Sequence, residues 1–212
     1  MIFSHSKNRL EALSDGVFAF AATLMVVNIG VNSDIISFKD EIPNIISFAV
    51  SFFIMMGIWK IHYNYFRRTN YVDNWVIALN MILLFTVLFY IFPVKSLLNT
   101  ALNGTRMTFD EFSQLFQLYS LGFAAIFLCI VLMYYRAFKK DTNHQDKNVL
   151  LFYTRHFSLF VIVAIISLLL AKFKVGLRIG VPGYIYASLG LLCWWHSVQF
   201  QKKHPFKSKI KS

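Results

Sequence analysis

The sequence predicts an all-α integral membrane protein with six transmembrane helices, on three observations: its composition, six charge-poor apolar runs, and the sidedness of its Lys and Arg residues. Of 212 residues, 57% are hydrophobic, 17% aromatic and 15% charged, against about 45–50% apolar and roughly 25% charged in an ordinary globular domain. Twenty-three Phe, ten Tyr and four Trp exceed what one soluble core of this size hides, because small domains expose much of their surface. Composition therefore excludes disorder, collagen-like repeats, a disulfide scaffold and a soluble enzyme. Cys129 and Cys193 lie in apolar runs without CxxC or Cys/His spacing. They are expected to be buried small hydrophobes, with no metal site and no cofactor.

A helix needs about 20 apolar residues to cross a hydrocarbon core roughly 30 Å thick. The first candidate starts near Ala12, carries Asp15 at its entrance and runs without charge from Gly16 to Asn32; it reads as an uncleaved span. The second covers Ile42 to Phe66, entered through Pro43, with Lys60 near its far end. The third runs from Asn74 to Val94, where Pro93 and Lys95 are expected to stop it. Phe112 to Tyr135, Val149 to Ala171 and Ile179 to Phe200 supply the remaining three. Connections are short and polar, so residues 1–212 form a single transmembrane domain with a basic tail at 202–212.

Orientation follows from the basic residues. With the amino terminus inside, thirteen Lys and Arg fall on the cytoplasmic side: Lys7, Arg9, Arg67, Arg68, Arg136, Lys139, Lys140, Lys147, and five in the tail from Lys202 to Lys211. Six fall outside. Both termini are expected in the cytoplasm, with the protein in the inner (plasma) membrane. The net charge of +11 then reflects topology and contact with the lipid bilayer, and no nucleic-acid partner is implied.

Polar groups within spans are informative, because hydrocarbon penalises them unless they are paired or face a cavity. Arg9, Ser14 and Asp15 stand at the start of the first span, at the same expected depth as Trp59, Lys60 and His62 near the end of the second. Trp59 and His62 share a helix face. Asn80 lies about one and a half turns beyond Trp75 in the third. These residues suit a structural clasp joining three helices. The alternative is gating or proton sensing through His62, because a histidine beside a carboxylate titrates near neutral pH.

Along the first span, Phe20, Thr23, Leu24, Val27 and Val31 recur at spacings of three and four and draw one stripe. Gly16, Ala19, Ala21 and Ala22 permit close helix approach. Taken alone, such a stripe reads as helix–helix packing, and Phe18, off the stripe, is expected to face lipid. The chain has no GxGxxG, GxxxxGK or HExxH, no carboxylate pair inside a span, and no TVGYG filter sequence. Catalysis and a carbonyl-ring filter are thus without residues to support them.

The segment RLEALSDG, Arg9 to Gly16, followed by VFAFAATLMVV, resembles the RxxxFSDG signature that opens the first helix of the transmembrane protein 175 family of potassium channels. Arg9, Ser14, Asp15 and Gly16 stand at the signature spacing, and Thr23, Trp59, His62 and Asn80 look like further polar positions of that family. The resemblance implies a single-repeat, six-span member: a homotetrameric potassium channel with no pore loop, the first helices lining a central pore, and potassium ion as permeant. It also implies that Phe20, Leu24 and Val27 form a hydrophobic constriction, with Thr23 as a hydroxyl layer. Two departures are visible. Leu13 replaces the signature Phe, and Phe20 stands where a smaller aliphatic residue is usual. A proton-coupled secondary transporter using His62 and Asp15, or a non-conducting membrane scaffold, remain the competing expectations.

Overall fold

The computed structural model describes residues 6–27, 38–103, 107–142 and 147–203. Five long helices dominate: α1 (Lys7–Val27), α2 (Phe38–Arg68), α3 (Asn74–Asn103), α4 (Phe109–Lys140) and α5 (Lys147–Lys172). Four of these, α2 to α5, are long and apolar enough to cross a membrane. The charges Lys7, Arg9, Glu11 and Asp15 in the first half of α1 leave it too short an apolar run among the described residues to join them. At 26 to 32 residues, α2 to α5 reach about 40–48 Å at 1.5 Å per residue. They extend beyond the hydrocarbon core into the headgroup layers.

Helix ends depart from the expected spans in ways that local chemistry explains. α1 begins at Lys7, so Asp15 sits about 12 Å into the helix rather than at its entrance. Good helix formers fill that first stretch, and Lys7 lies 4.0 Å from Glu11 one turn on. Pro43 lies inside α2, one turn beyond its start. Pro93 and Lys95 do not stop α3, which continues to Asn103. A proline removes one backbone bond but leaves the following turns intact where packing holds them, and buried Ile91 and Val94 flank it. α4 starts three residues before the apolar run, at a capping box. The Glu111 amide donates to Thr108 Oγ1 at 3.3 Å, and the Thr108 amide donates to Glu111 Oε2 at 2.8 Å.

The expected sixth span is broken. A 3-10 turn (Leu177–Ile179), a four-residue helix α6 (Val181–Tyr184) and a second 3-10 turn (Ile185–Ala187) precede α7 (Ser188–Lys203). Gly176 and Gly180 hold φ values of +63° and +75°, and a Cβ on Gly176 would collide with Val181. Pro182 follows at once. Irregular backbone at membrane depth needs internal hydrogen bonds. Ser167 supplies one, donating to the Pro182 carbonyl at 2.7 Å, and Ser113 donates to the Ala171 carbonyl at the same distance.

α4 packs along α5, α3 against α4, and α1 lies across α2 and α3, while α7 rests on α5. Aromatic rings fill the centre: Phe127 stacks on Phe160 at 4.5 Å, and Tyr65 meets Tyr134 edge-on at 5.0 Å. Cys129 is buried as expected, but Cys193 is only partly so. It lies on α7, which is packed from one side.

Candidate functional site

The two faces of α1 have different fates. Leu10, Ser14, Phe18, Ala21 and Met25 recur at three and four residues and are buried against α2 and α3. Phe18 is 1% exposed, with its ring 5.6 Å from that of His62, so it faces the core and not lipid. The opposite face carries Leu13, Gly16, Phe20, Thr23 and Leu24, which this chain leaves uncovered. Phe20 is 57% exposed and Leu24 37%. The stripe is therefore not packing within one chain.

The buried face is fixed by a polar chain at its amino-terminal half. Ser14 Oγ donates to the Leu10 carbonyl at 2.8 Å, and Asn80 Nδ2 from α3 donates to Ser14 Oγ at 3.0 Å. Asn80 Oδ1 lies 2.7 Å from His62 Nε2 on α2. With the Asn80 amide nitrogen committed to Ser14, its oxygen is the acceptor, and His62 donates as the Nε2–H tautomer. Ser14 and Asn80 are fully buried and His62 is 2% exposed, so each lost bond strands a partner away from water. Nearer solvent, Trp59 Nε1 donates to Asp15 Oδ1 at 2.8 Å.

Other expected site residues fall differently. Arg9 is exposed and, among the described residues, has no hydrogen-bond or ion-pair partner, Asp15 included. Gly16 is exposed with open space where a Cβ would stand, so no contact within the chain demands its smallness. Thr23 Oγ1 donates to the Ala19 carbonyl at 3.1 Å, which spends its proton and leaves its oxygen lone pairs outward. Val27 closes α1, and its side chain, like all of Val31, lies outside the described residues. The tail beyond Lys203 does too.

A second clasp at the same end of the bundle escaped the sequence reading. Asp73 caps α3 by accepting from the Val76 amide at 2.9 Å, and its other oxygen accepts from Arg136 Nε at 2.7 Å and Tyr71 OH at 2.8 Å. Burial alone would raise the Asp73 carboxyl, but the Val76 amide, Arg136 and Tyr71 together hold it below the usual range. Burial and the Asp73 carboxylate push the Tyr71 phenol up. Arg68 donates to Tyr134 OH and Tyr153 OH at 3.3 and 2.9 Å, and Thr69 to Asp141 at 2.9 Å. The capping spacing of Asp73 before Val76 was a readable signal; the partners on α4 and α5 were not.

Together these features define a helical membrane protein whose first helix is locked by one face and bare on the other. The profile described as "Endosomal/lysosomal potassium channel TMEM175" matches residues 9–90, from the start of the signature to the middle of α3. A protein of Marivirga tractuosa named "Potassium channel" is 35% identical over 148 residues, covering 63% of this chain and 60% of that relative. Another from Chamaesiphon minutus, also named a potassium channel, is 30% identical over 142 residues, covering 62% and 64%. The chain thus aligns with less than two thirds of the length of each. A crystal structure of the potassium channel MtTMEM175, a variant bound to a nanobody fusion, superposes with TM-score 0.75 at 26% identity and 94% coverage of both chains. The structure of a TMEM175 homologue from Chamaesiphon minutus shares the fold, with TM-score 0.63 at 19% identity over 92% of this chain and 97% of that one. Residues 9–90 thus match the TMEM175 family, and the chain as a whole shares the fold of TMEM175 channel structures.

Proposed function

We propose that four copies of this chain assemble with their α1 helices around a common axis and form a potassium-permeable channel of the inner (plasma) membrane, six spans per subunit and both termini cytoplasmic. The observation that carries this reading is the face bearing Phe20, Thr23 and Leu24, uncovered in one chain while the opposite face is held by Ser14, Asn80 and His62. Relatives named potassium channels support the permeant ion, and the excess of basic residues on one side supports the orientation. An apolar ring of Phe20, Leu24 and Val27 offers an ion no ligands, so it gates by dewetting and passes ions when it widens. Potassium sheds water more readily than sodium, so partial dehydration at the ring favours it. Thr23 oxygens then replace part of the lost hydration, which gives modest selectivity.

Liposomes loaded with potassium and monitored with a potential-driven dye test the proposal. Purified tetramers should carry potassium flux that persists without a proton gradient, and Thr23→Val should lower the potassium-to-sodium ratio. Confirmed tetramers with no flux above empty liposomes would overturn it. Flux that stops when the proton gradient is abolished would assign a proton-coupled transporter instead.

A further inference from the structure

A cavity of about 330 Å³ opens between α1 and α3 at the end of the bundle opposite the signature clasp. Leu24, Leu88, Ile91 and Phe92 wall one part of it, and Lys95, Ser96 and Asn99 the other. The α3 residues advance by about one turn at each step, so they form one face whose chemistry changes along the helix from apolar to polar. The volume is at the low end for small-molecule sites, about 300–1,000 Å³.

Depth gives this gradient a meaning. Trp75 near the start of α3 is 65% exposed, and a Trp in that position marks one membrane interface. Lys95 follows twenty residues later, about 30 Å along the helix, which puts it at the opposite headgroup layer. The polar part of the cavity is thus level with lipid headgroups and its apolar part with acyl chains. Below Phe92, the exposed rings of Phe89 and Phe85 continue the same strip, 4.8 Å apart. The side-chain oxygen of Asn99 is buried with no hydrogen-bond partner among the described residues. An occupant should bring an anion for Lys95 and Ser96, a hydroxyl donor for Asn99, and an apolar chain for Leu24, Leu88 and Phe92.

We propose that this cavity binds an anionic phospholipid whose headgroup carries free hydroxyls, phosphatidylglycerol being the simplest. The phosphate accepts from Lys95 and Ser96, a glycerol hydroxyl donates to Asn99, and one acyl chain runs down the Phe92, Phe89 and Phe85 strip. The site touches Leu24, so lipid occupancy bears on the uncovered face of α1. The binding claim itself is independent of ion flux.

Native mass spectrometry of the detergent-purified protein, titrated with phosphatidylglycerol, phosphatidylcholine or glycerol 3-phosphate, tests it. The expected result is saturable binding of one phosphatidylglycerol per chain, with phosphatidylcholine at least tenfold weaker and glycerol 3-phosphate unable to compete at equal concentration. Lys95→Ala should weaken phosphatidylglycerol at least tenfold, whereas Lys139→Ala, exposed at the other end, should not. Should Lys95→Ala fail to fold, Leu88→Trp keeps the cation, fills the apolar part and should abolish binding. Equal affinity for the two lipids, effective competition by glycerol 3-phosphate, wild-type binding by the Lys95 or Leu88 variant, or no lipid on the assembled oligomer would each overturn the proposal.

Discussion

Trp59 on α2 donates its indole N–H to the carboxylate of Asp15 on α1 across 2.8 Å. This bond joins the signature segment to its neighbour at the solvent edge of the clasp, one turn from the buried Ser14, Asn80 and His62 chain. Hydrogen bonds to charged groups contribute about 1.5–3 kcal/mol when shielded, and exposure here brings that toward about 1 kcal/mol. Trp59→Phe should lower the unfolding temperature of the detergent-solubilised protein by a few degrees. Asp15→Asn, which keeps an acceptor, should lower it less.

The buried chain should behave as a unit. Asn80→Leu removes a donor and an acceptor together and leaves Ser14 and His62 without their partner, at about 1–3 kcal/mol for each stranded group. Ser14→Ala and Asn80→Leu combined should therefore cost clearly less than the sum of the single effects. Additive losses in a chemical-denaturation cycle would show the bonds to be independent.

Neighbouring phenylalanines on α1 should separate stability from transport. Phe18→Ala opens a cavity against His62 and should destabilise by about 3 kcal/mol. Phe20→Ala, on the uncovered face, should leave unfolding of the isolated chain nearly unchanged and raise potassium flux several-fold by widening the proposed ring. Unfolding curves and liposome flux measured on both variants give the comparison.

Acid should weaken the second clasp. The Asp73 carboxyl is held below its unfolded value, near 4, so the folded state favours its charged form. Its contribution is complete above the unfolded value and disappears as pH falls through the lower folded one. The stability difference between wild type and Asp73→Asn should stay constant from neutral pH to about 5 and shrink below about 4. A difference that grew on acidification would contradict this sign.

The break before α7 should be intolerant of side chains. Gly176 combines a φ of +63° with a Cβ position occupied by Val181, so Gly176→Ala should cost more than the ~1 kcal/mol of left-handed strain alone. Gly190, which has open space around it, is the control. Gly190→Ala should be neutral or slightly stabilising by helix propensity.

The membrane class, the approximate positions of the long helices and the residues of the first clasp were legible in the sequence, because apolar runs and rare polar groups within them have few solutions in a bilayer. RLEALSDG, Trp59, His62 and Asn80 pointed to a junction of three helices, and Ser14, Asp15, Trp59, His62 and Asn80 do meet. Arg9 and Gly16 do not join them within one chain. Tertiary structure alone decided which face of α1 is buried, since Phe18 and Phe20 are identical in chemistry and differ only in azimuth. It also decided that Pro93 leaves α3 intact, because neighbouring side chains hold the turns that local propensity would end. The break at Gly176 to Ala187 depended on Ser167 reaching the Pro182 carbonyl from α5, while Ser113 of α4 holds the Ala171 carbonyl in the last turn of α5 before it. Hydropathy fixes which segments leave water. The partners available across space fix which way each segment turns and where its backbone is allowed to break.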